Sequence, residues 1–369
     1  MTQSERAARM SLSCAMDGGD PAVVELVERL GAAGAWARIL EGALGEPVAQ
    51  RAASTQVDLA VGLAQESQAR FVIPGDEEWP SSVDDLARAS TIQRRGGLPF
   101  GLWLRGPGHL VELTQRSVAI VGSRAATAYG TGMASDLAAD LADVGVTVIS
   151  GGAFGIDVAA HRGALAVGGR SIGVLANGVD VGYPPGNQRM FDALARDHLL
   201  VSELPPGAHP TRVRFLARNR LIAAISGGTV VVEAALRSGA RNTAGWALEC
   251  QRPLMAVPGP VQSRASVGPH LMIRNGQAVL VTCAADVLEM ISVVGQHAVS
   301  TVQGPNRRTD TLSAAQLAAF EAVPARRRAT VSDVALGAGL GVPATLAALT
   351  ALESLGLVSG DAQGWLATP

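Results

Sequence analysis

The chain contains no lysine, and all 30 of its basic residues are arginine. This absence excludes a Walker A phosphate loop, a Schiff-base enzyme and a lysine general base. A GC-rich genome would give the same arginine usage, so the bias alone indicates no function. The net charge of −2 at pH 7 favours no class of partner either, because only the local distribution of charge matters for nucleic acid.

The features of membrane and secreted proteins are also missing. No apolar run approaches the roughly 20 residues that a membrane span needs, and the N-terminus lacks the apolar core of a secretory signal. Cys14, Cys250 and Cys283 are too isolated for a zinc site or a disulfide framework. We therefore expect a globular cytoplasmic protein with no membrane partner, no metal and no cofactor.

The middle of the chain, residues 106–292, alternates strand and helix patterns. Its seven short apolar runs are residues 118–121, 146–149, 171–175, 199–202, 229–232, 254–257 and 279–281. Nearly continuous apolar runs with helices between them predict a mostly parallel sheet covered on both faces. The fold class is therefore an α/β, extended Rossmann-like domain. The helix before the fifth run is predicted over residues 219–225.

Smaller regions flank this domain. Residues 1–75 alternate short helices with glycine and predict a small helical domain, which lacks a basic cluster and suits structural or protein-contact use. Residues 76–105 predict a connector that lays a strand onto the central sheet. Residues 293–310 predict a polar linker, and residues 311–369 predict three helices and a hairpin, the pattern of a winged helix.

The third helix of this tail, residues 343–356, contains no basic residue. A helix that reads the major groove needs Arg, Lys, Asn or Gln on its recognition face. The winged-helix-like domain therefore suits protein contact better than DNA contact, and both remain open.

Two glycine-rich turns follow the first two strands. They consist of Gly122, Ser123 and Arg124 after the first strand, and of Ser150, Gly151 and Gly152 after the second. Open α/β sheets bind ligands at the carboxyl ends of their strands. Glycine lets backbone N–H groups approach an anion, and the helix N-terminus behind adds a positive dipole end. We expect Arg124 to hold a phosphate there together with the N–H groups of Ser123 and Gly152.

Polar side chains near these turns allow two interpretations each. Asp157 either satisfies N–H groups at a helix start or contacts a ligand hydroxyl. His161 would share a helix face with Asp157, which predicts a structural pair rather than a catalytic one. Asp180, Tyr183 and Asn187 either close a cleft over a sugar or base, or pack and cap the next helix.

An arginine run without acidic residues gives the sharpest local pattern. It contains Arg212, Arg214, Phe215, Arg218, Asn219 and Arg220. Positive charge interleaved with an aromatic ring suits a single strand, whose phosphates need cations and whose bases stack. We expect Phe215 to stack on a base while the arginines line the path of the strand. The alternatives are a core position for the ring and a structural arginine set paired with carboxylates such as Glu203 and Glu233.

Taken in order, these segments resemble the DNA-processing protein A family (DprA, also called Smf) over roughly residues 100–290. The motifs that carry the resemblance are Gly122-Ser123-Arg124, Ser150-Gly151-Gly152-Ala153, Gly155-Ile156-Asp157, Ala160-His161, Tyr183-Pro184, Phe215 with Arg218-Asn219-Arg220, Val231-Val232-Glu233-Ala234 and Val257-Pro258-Gly259. The chain departs from the family pattern at Phe154, where a polar residue is common, and at Leu216, where proline is usual.

The resemblance implies a non-enzymatic recombination mediator. Such a protein binds single-stranded DNA, protects incoming DNA and loads the RecA recombinase during natural transformation. It also implies a homodimer. Because family members pair near the carboxyl-terminal sheet edge, we expect the dimer contact within residues 268–290.

An enzyme is the alternative on the same scaffold. Gly227, Gly228, Thr229 and Glu233 lie near the signature of lysine-decarboxylase-like phosphoribohydrolases, but Ser226 replaces its proline and the second glycine-threonine pair is missing. No Ser-His-Asp order or cofactor fingerprint appears in the sequence. A nucleotide-processing hydrolase or transferase would prefer a nucleoside monophosphate over a polymeric single strand.

Overall fold

The apolar runs form one nine-stranded sheet in the computed structural model, which describes residues 3–292 and 308–368. The strands are β1 Ala69–Val72, β2 Leu102–Arg105, β3 Ser117–Val121, β4 Thr147–Ser150, β5 Ser171–Leu175, β6 Leu199–Ser202, β7 Thr229–Val231, β8 Leu254–Ala256 and β9 Val279–Leu280. Their order across the sheet is β1-β2-β6-β5-β4-β3-β7-β8-β9. All seven strands predicted for residues 106–292 are therefore present.

From β6 across to β9 all neighbouring strands are parallel. Only β2 runs in the opposite direction, and it pairs antiparallel with both β1 and β6. The chain moves outward from β3 through β4, β5 and β6 and then returns to β7 on the other side of β3. The strand order therefore reverses between β3 and β7, where doubly wound sheets form a ligand crevice at the carboxyl edge. The predicted Rossmann-like, mostly parallel fold is confirmed.

Helices cover both faces of this sheet. They are α1 Gln3–Ala15, α2 Pro21–Leu40, α3 Glu46–Ala53, α4 Val57–Glu66, α5 Leu110–Gln115, α6 Ala128–Asp143, α7 Ile156–Ala166, α8 Gln188–Asp197, α9 Arg212–Ala224, α10 Gly239–Glu249, α11 Val267–Arg274 and α12 Ala284–Ile291, with 3₁₀ turns at Ser81–Ala87 and Pro185–Asn187. Side chains alternate along a strand, so Val118 and Ile120 of β3 join the core under α6 and α7. Ala119 and Val121 join the opposite core with α9 and α10.

Helix α9 begins at Arg212 rather than at the predicted residue 219. Thr211 provides the start, because its side chain accepts a hydrogen bond from the Arg214 N–H. The whole arginine run is consequently helical, and its side chains point in directions that differ by about 100° from one residue to the next. This geometry separates arginines that the sequence places side by side.

The N-terminal helices pack their own apolar core, and the predicted strand of the connector is present as β2, which pairs with β6. Strand β1 lies within the predicted helical domain, residues 1–75, yet it pairs with β2 through residues 69–72. Backbone pairing thus brings the end of that region into the sheet. The other predicted domain boundaries stay predictions, and residues 293–307 of the predicted linker lie outside the described residues.

The chain divides into two units, Met1–Val299 and Ser300–Pro369. The second contains α13 Ala314–Ala322, α14 Val331–Ala338, α15 Val342–Ser354, β10 Val358–Asp361 and β11 Gly364–Ala367 around its own apolar core. Three helices and a hairpin are thus present, and the winged-helix assignment stays a prediction. Over the described residues, no single helix has the length and apolarity to cross a membrane, and only the bent pair α14 and α15 meets both criteria jointly.

Candidate nucleic-acid interface

The two glycine-rich turns lie side by side because β3 and β4 are neighbours in the sheet. Gly155 allows the two turns to contact each other closely. Its φ of 81° is left-handed, and a Cβ at this position would overlap the Ser123 carbonyl oxygen, which accepts a hydrogen bond from the Ile156 N–H at 3.2 Å. Only glycine meets both conditions, so α7 begins directly against the first turn.

Phe215 lies half-buried at this edge of the sheet and gathers side chains from distant parts of the sequence. The Arg124 guanidinium carbon is 4.6 Å from the ring centroid, and that of Arg218 is 5.8 Å away. The Tyr183 ring stands 6.0 Å from it at 51°. Both arginines are within cation–π distance. The first turn, the Tyr183 loop and the arginine run therefore meet at one aromatic ring.

Arg218 supports this ring from below. Its guanidinium donates to the Val174 carbonyl at 2.5 Å, and a Cβ at Gly151 would overlap it, so glycine in the second turn makes room for the arginine. Burial lowers the pKa of Arg218 to about 10, and the Asp157 carboxylate opposes that shift. Burial also raises the pKa of Asp157, while Arg218 and Arg124 act to lower it. Arg218 thus interacts with Asp157 beneath the surface.

His161 is fully buried, and its Nδ1 lies 2.8 Å from the Ser171 hydroxyl. This contact corrects the predicted pair with Asp157, whose carboxylate instead accepts from the Ala153 N–H at 3.4 Å. Burial lowers the pKa of His161 to about 3, so the imidazole is neutral at physiological pH. Its surroundings are those of a structural residue.

The structure places Arg220 in the interior, which corrects the prediction that it lines the path of a strand. Its side chain is 0% exposed and donates to both carboxylate oxygens of Glu203, at 2.6 and 2.7 Å. A bidentate pair of this kind satisfies both buried charges. Arg220 is thus a structural arginine paired with a carboxylate, as the alternative interpretation of the run predicted. Glu233, the other carboxylate named there, instead accepts hydrogen bonds from the Thr127 N–H and hydroxyl at 2.9 and 2.6 Å.

Three polar groups among the predicted DNA-binding residues already have protein partners. The Ser123 N–H donates to the Glu233 carbonyl at 2.7 Å. It is therefore not free for a phosphate, which corrects the prediction that it contacts one. The buried Ser150 hydroxyl donates to the Ile120 carbonyl at 2.7 Å. Asn219 is also buried, and its amide donates to the Asn242 side-chain oxygen at 3.2 Å. The exposed guanidinium of Arg124 is therefore the main donor of the first turn.

The Tyr183 loop combines a structural and an accessible part. The buried Asn187 amide donates to the Gly152 carbonyl at 3.0 Å, which ties this loop to the second turn. Asp180 accepts from the Gly207 N–H at 2.9 Å. Tyr183 is 42% exposed beside Phe215. Asn187 and Asp180 thus hold the loop, and Tyr183 is the member that a ligand can contact.

Asp17 of the N-terminal region forms an ion pair that the sequence does not reveal. Its carboxylate lies 2.9 Å from Nε of Arg214, and Arg214 also donates to the His209 carbonyl at 2.7 Å. The arginine run lacks acids locally, but a loop 197 residues away supplies one. Across the described ranges, no group of three or more His, Cys, Asp or Glu side chains could hold a metal.

Comparisons with known proteins show which proteins this chain is similar to. Residues 70–292 match the family model described as DNA recombination-mediator protein A. The chain is 43% identical over 338 residues to DNA processing protein DprA of Mycobacterium tuberculosis, covering 90% of this chain and 86% of that protein. It is similar to the X-ray structure of DNA processing protein A from Streptococcus pneumoniae, with a TM-score of 0.64, 31% identity, and coverage of 79% of this chain and 99% of that chain.

A second solved structure concerns the single-stranded DNA binding mode of DNA processing protein A from Helicobacter pylori. Its TM-score is 0.52 and its identity 29%, over 60% of this chain and 94% of that one. The resemblance predicted from the ordered motifs is confirmed.

Proposed function

The chain belongs to the DNA recombination-mediator protein A family, and from this premise we propose that it binds single-stranded DNA at the sheet edge centred on Phe215. We propose further that it protects incoming DNA and loads RecA onto it during natural transformation. One observation carries the DNA-binding proposal, namely the grouping of Arg124, Tyr183 and Arg218 around the half-buried Phe215 ring. A ring for stacking and cations for phosphates are what a single strand requires.

The proposed contact set follows from accessibility. Phe215 and Tyr183 would meet bases, and Arg124, Arg212 and Arg214 would meet phosphates. A second set, Ser150, Gly151, Arg218 and Asn219, supports these residues from inside. Gly122, Ser123 and Gly152 shape the floor of the turns. Arg220 is left out of the contacts because it is buried against Glu203.

Replacing Phe215 tests the proposal. Stacking on one ring contributes about 1–3 kcal/mol, so Phe215→Ala should weaken binding of single strands roughly ten- to a hundredfold, almost independently of sequence. Binding of duplex should change much less, because its bases are already stacked. Phe215→Trp is the matched control, since it keeps an aromatic face. Affinities for both DNA forms and a melting temperature are measured on each variant.

If Phe215→Ala lowers the melting temperature but binds single strands normally, the ring is a core residue and the stacking proposal fails. Preference between an oligonucleotide and a nucleoside monophosphate separates a binding protein from a nucleotide-processing enzyme.

Arg124→Ala adds an independent check of the DNA-binding proposal. It should reduce the salt slope of binding by about 0.7, the effect of one lost phosphate contact on a single strand.

We also propose a homodimer through residues 268–290. Strand β9 is the last strand of the sheet order, and its Val279 and Leu280 are each 47% exposed. An edge strand with apolar side chains favours symmetric pairing. Leu280→Glu should shift sedimentation toward monomer, because it places a charge on the exposed apolar edge. A charge at Ile273 would disturb folding instead, because that side chain packs against the core. Val261→Glu, at a residue 84% exposed outside this segment, is the control, and an unchanged dimer in Leu280→Glu would refute the contact.

A further inference from the structure

A cleft of about 580 Å³ lies along the first turns of α9, the helix that carries Phe215. It is formed by the start of α2, a turn before β2 and the first turns of α9, with Asp20, Gln93, Arg94, Arg95, Val213 and Leu216 in its lining. Its volume falls in the range of ligand sites, about 300–1,000 Å³. The mixture of arginines with apolar side chains suits a nucleotide better than a purely apolar ligand.

The turn that carries Arg94 is held in an unusual conformation. Ile92 and Arg95 exchange backbone hydrogen bonds of 2.9 and 3.0 Å, and between them Gln93 and Arg94 have φ values of 51° and 62°. Residues other than glycine rarely adopt this region, and they keep it only where the surroundings impose it. The surroundings therefore fix the backbone of this turn, which carries the exposed Arg94 at the cleft.

Buried amides supply that support. The Asn242 amide donates to the Gln93 side-chain oxygen at 3.5 Å, and Asn242 in turn accepts from Asn219 of α9 at 3.2 Å. The turn is thus connected to the helix that carries Phe215. Arg95 is partly neutralised by Asp20 at 4.0 Å. Arg94 is exposed, and its guanidinium has no hydrogen bond or ion pair within residues 3–292 and 308–368.

The geometry of α9 connects the two places. At about 100° per residue, Val213 and Leu216 share one side of its first turns and Phe215 lies nearly opposite. Arg212 points between Phe215 and Leu216, on the exposed ridge of the helix. A DNA strand bound at Phe215 would therefore cross roughly one helix diameter, about 10–12 Å, over Arg212 before it reached the cleft.

We propose that this cleft is a second subsite for the same single strand, with Arg94 holding a phosphate and Val213 and Leu216 providing an apolar surface for a base. The proposal rests on the proposed function, because both subsites take one ligand. A strand long enough to cross α9 uses both subsites, and a short one uses only the ring of Phe215.

A length series of oligothymidylates tests this inference on the full chain. We expect Arg94→Gly, which suits the positive φ, to weaken binding of a strand of about 16 nucleotides by roughly three- to tenfold and to lower its salt slope by about 0.7. Binding of a strand of about four nucleotides should stay unchanged. Val213→Ser, which removes apolar surface from the cleft without a change of charge, should give the same length-dependent loss.

Two controls separate the outcomes. Arg94→Lys should retain most of the affinity, and Arg170→Ala removes one exposed charge before β5, at the opposite end of the sheet. If Arg94→Gly and Val213→Ser leave the long strand unaffected while Phe215→Ala weakens both lengths, the second subsite is refuted and the proposed function stands. If Phe215→Ala also changes neither length, the proposed function itself fails.

Discussion

The two ends of the arginine run in α9 have similar sequences and opposite surroundings. In its first turn, Arg212 is exposed and the Arg214 side chain is 25% exposed. Two turns later, Arg218 is 6% exposed and Arg220 is fully buried. Both ends carry arginines spaced two residues apart without a local acid, yet one end meets solvent and the other meets the core.

The difference shows what an acid-free arginine run indicates and what it leaves undecided. Buried cations need compensation, and at the inner end Glu203 provides it for Arg220 while Asp157 lies near Arg218. At the outer end Arg212 has no ion pair within the described ranges, and Arg214 meets only the half-exposed Asp17. The burial of each position along α9 therefore decides whether its arginine is available to a ligand.

Breaking the buried Arg220–Glu203 ion pair should have the largest effect on stability. Arg220→Met leaves Glu203 buried without its partner, and breaking a buried pair in this way costs about 3–5 kcal/mol of unfolding free energy. Urea unfolding measures the loss. The double variant Arg220→Met with Glu203→Met should recover much of it, because no buried charge then remains unpaired. Binding of single strands by the folded protein should keep its salt slope, and a reduced slope would place Arg220 among the DNA contacts after all.

How far the sequence predicts the molecule follows from the same contrast. Strand runs such as residues 171–175 are fixed by local apolar pattern, so the sheet and both glycine turns were predictable. Motif order also placed Arg124 and Phe215 at one edge of the sheet. The depth of Arg220 was not predictable, because it depends on where α9 packs. Asp17 was missed for a related reason, since its partner lies 197 residues away and no local pattern encodes that distance.

The buried His161 allows a pH test of the same contrast between buried and exposed groups. His161 has a pKa of about 3 in the folded chain, against 6.5 as its ordinary value. Between these values the unfolded chain takes up a proton that the folded chain does not, so stability falls as pH decreases from 6.5 toward 3. The slope from this one group is at most about 1.4 kcal/mol per pH unit.

Comparing wild type with His161→Gln isolates this contribution, because other acid-sensitive groups affect both proteins alike. Unfolding free energies from urea titrations at several pH values should converge as the pH is lowered, with the wild type losing stability faster. Parallel curves for the two proteins would mean that water reaches His161. The interior near the turns would then differ from the dry surroundings of Arg220.

The smallest expected effect concerns the outer end. Asp17 and Arg214 are 35% and 25% exposed, and exposed pairs contribute only about 0–1 kcal/mol. Asp17→Asn should therefore change stability little, but it frees Arg214 for a phosphate and should raise affinity for single strands about two- to fivefold at low salt. The gain should shrink at high salt, because screening weakens both contacts. Glu28→Gln, which removes an exposed charge from α2 rather than from the Asp17 loop, controls for net charge. Equal gains in both variants would show that Asp17 acts only through the overall field, and that Arg214 is not held back from the strand by this pair.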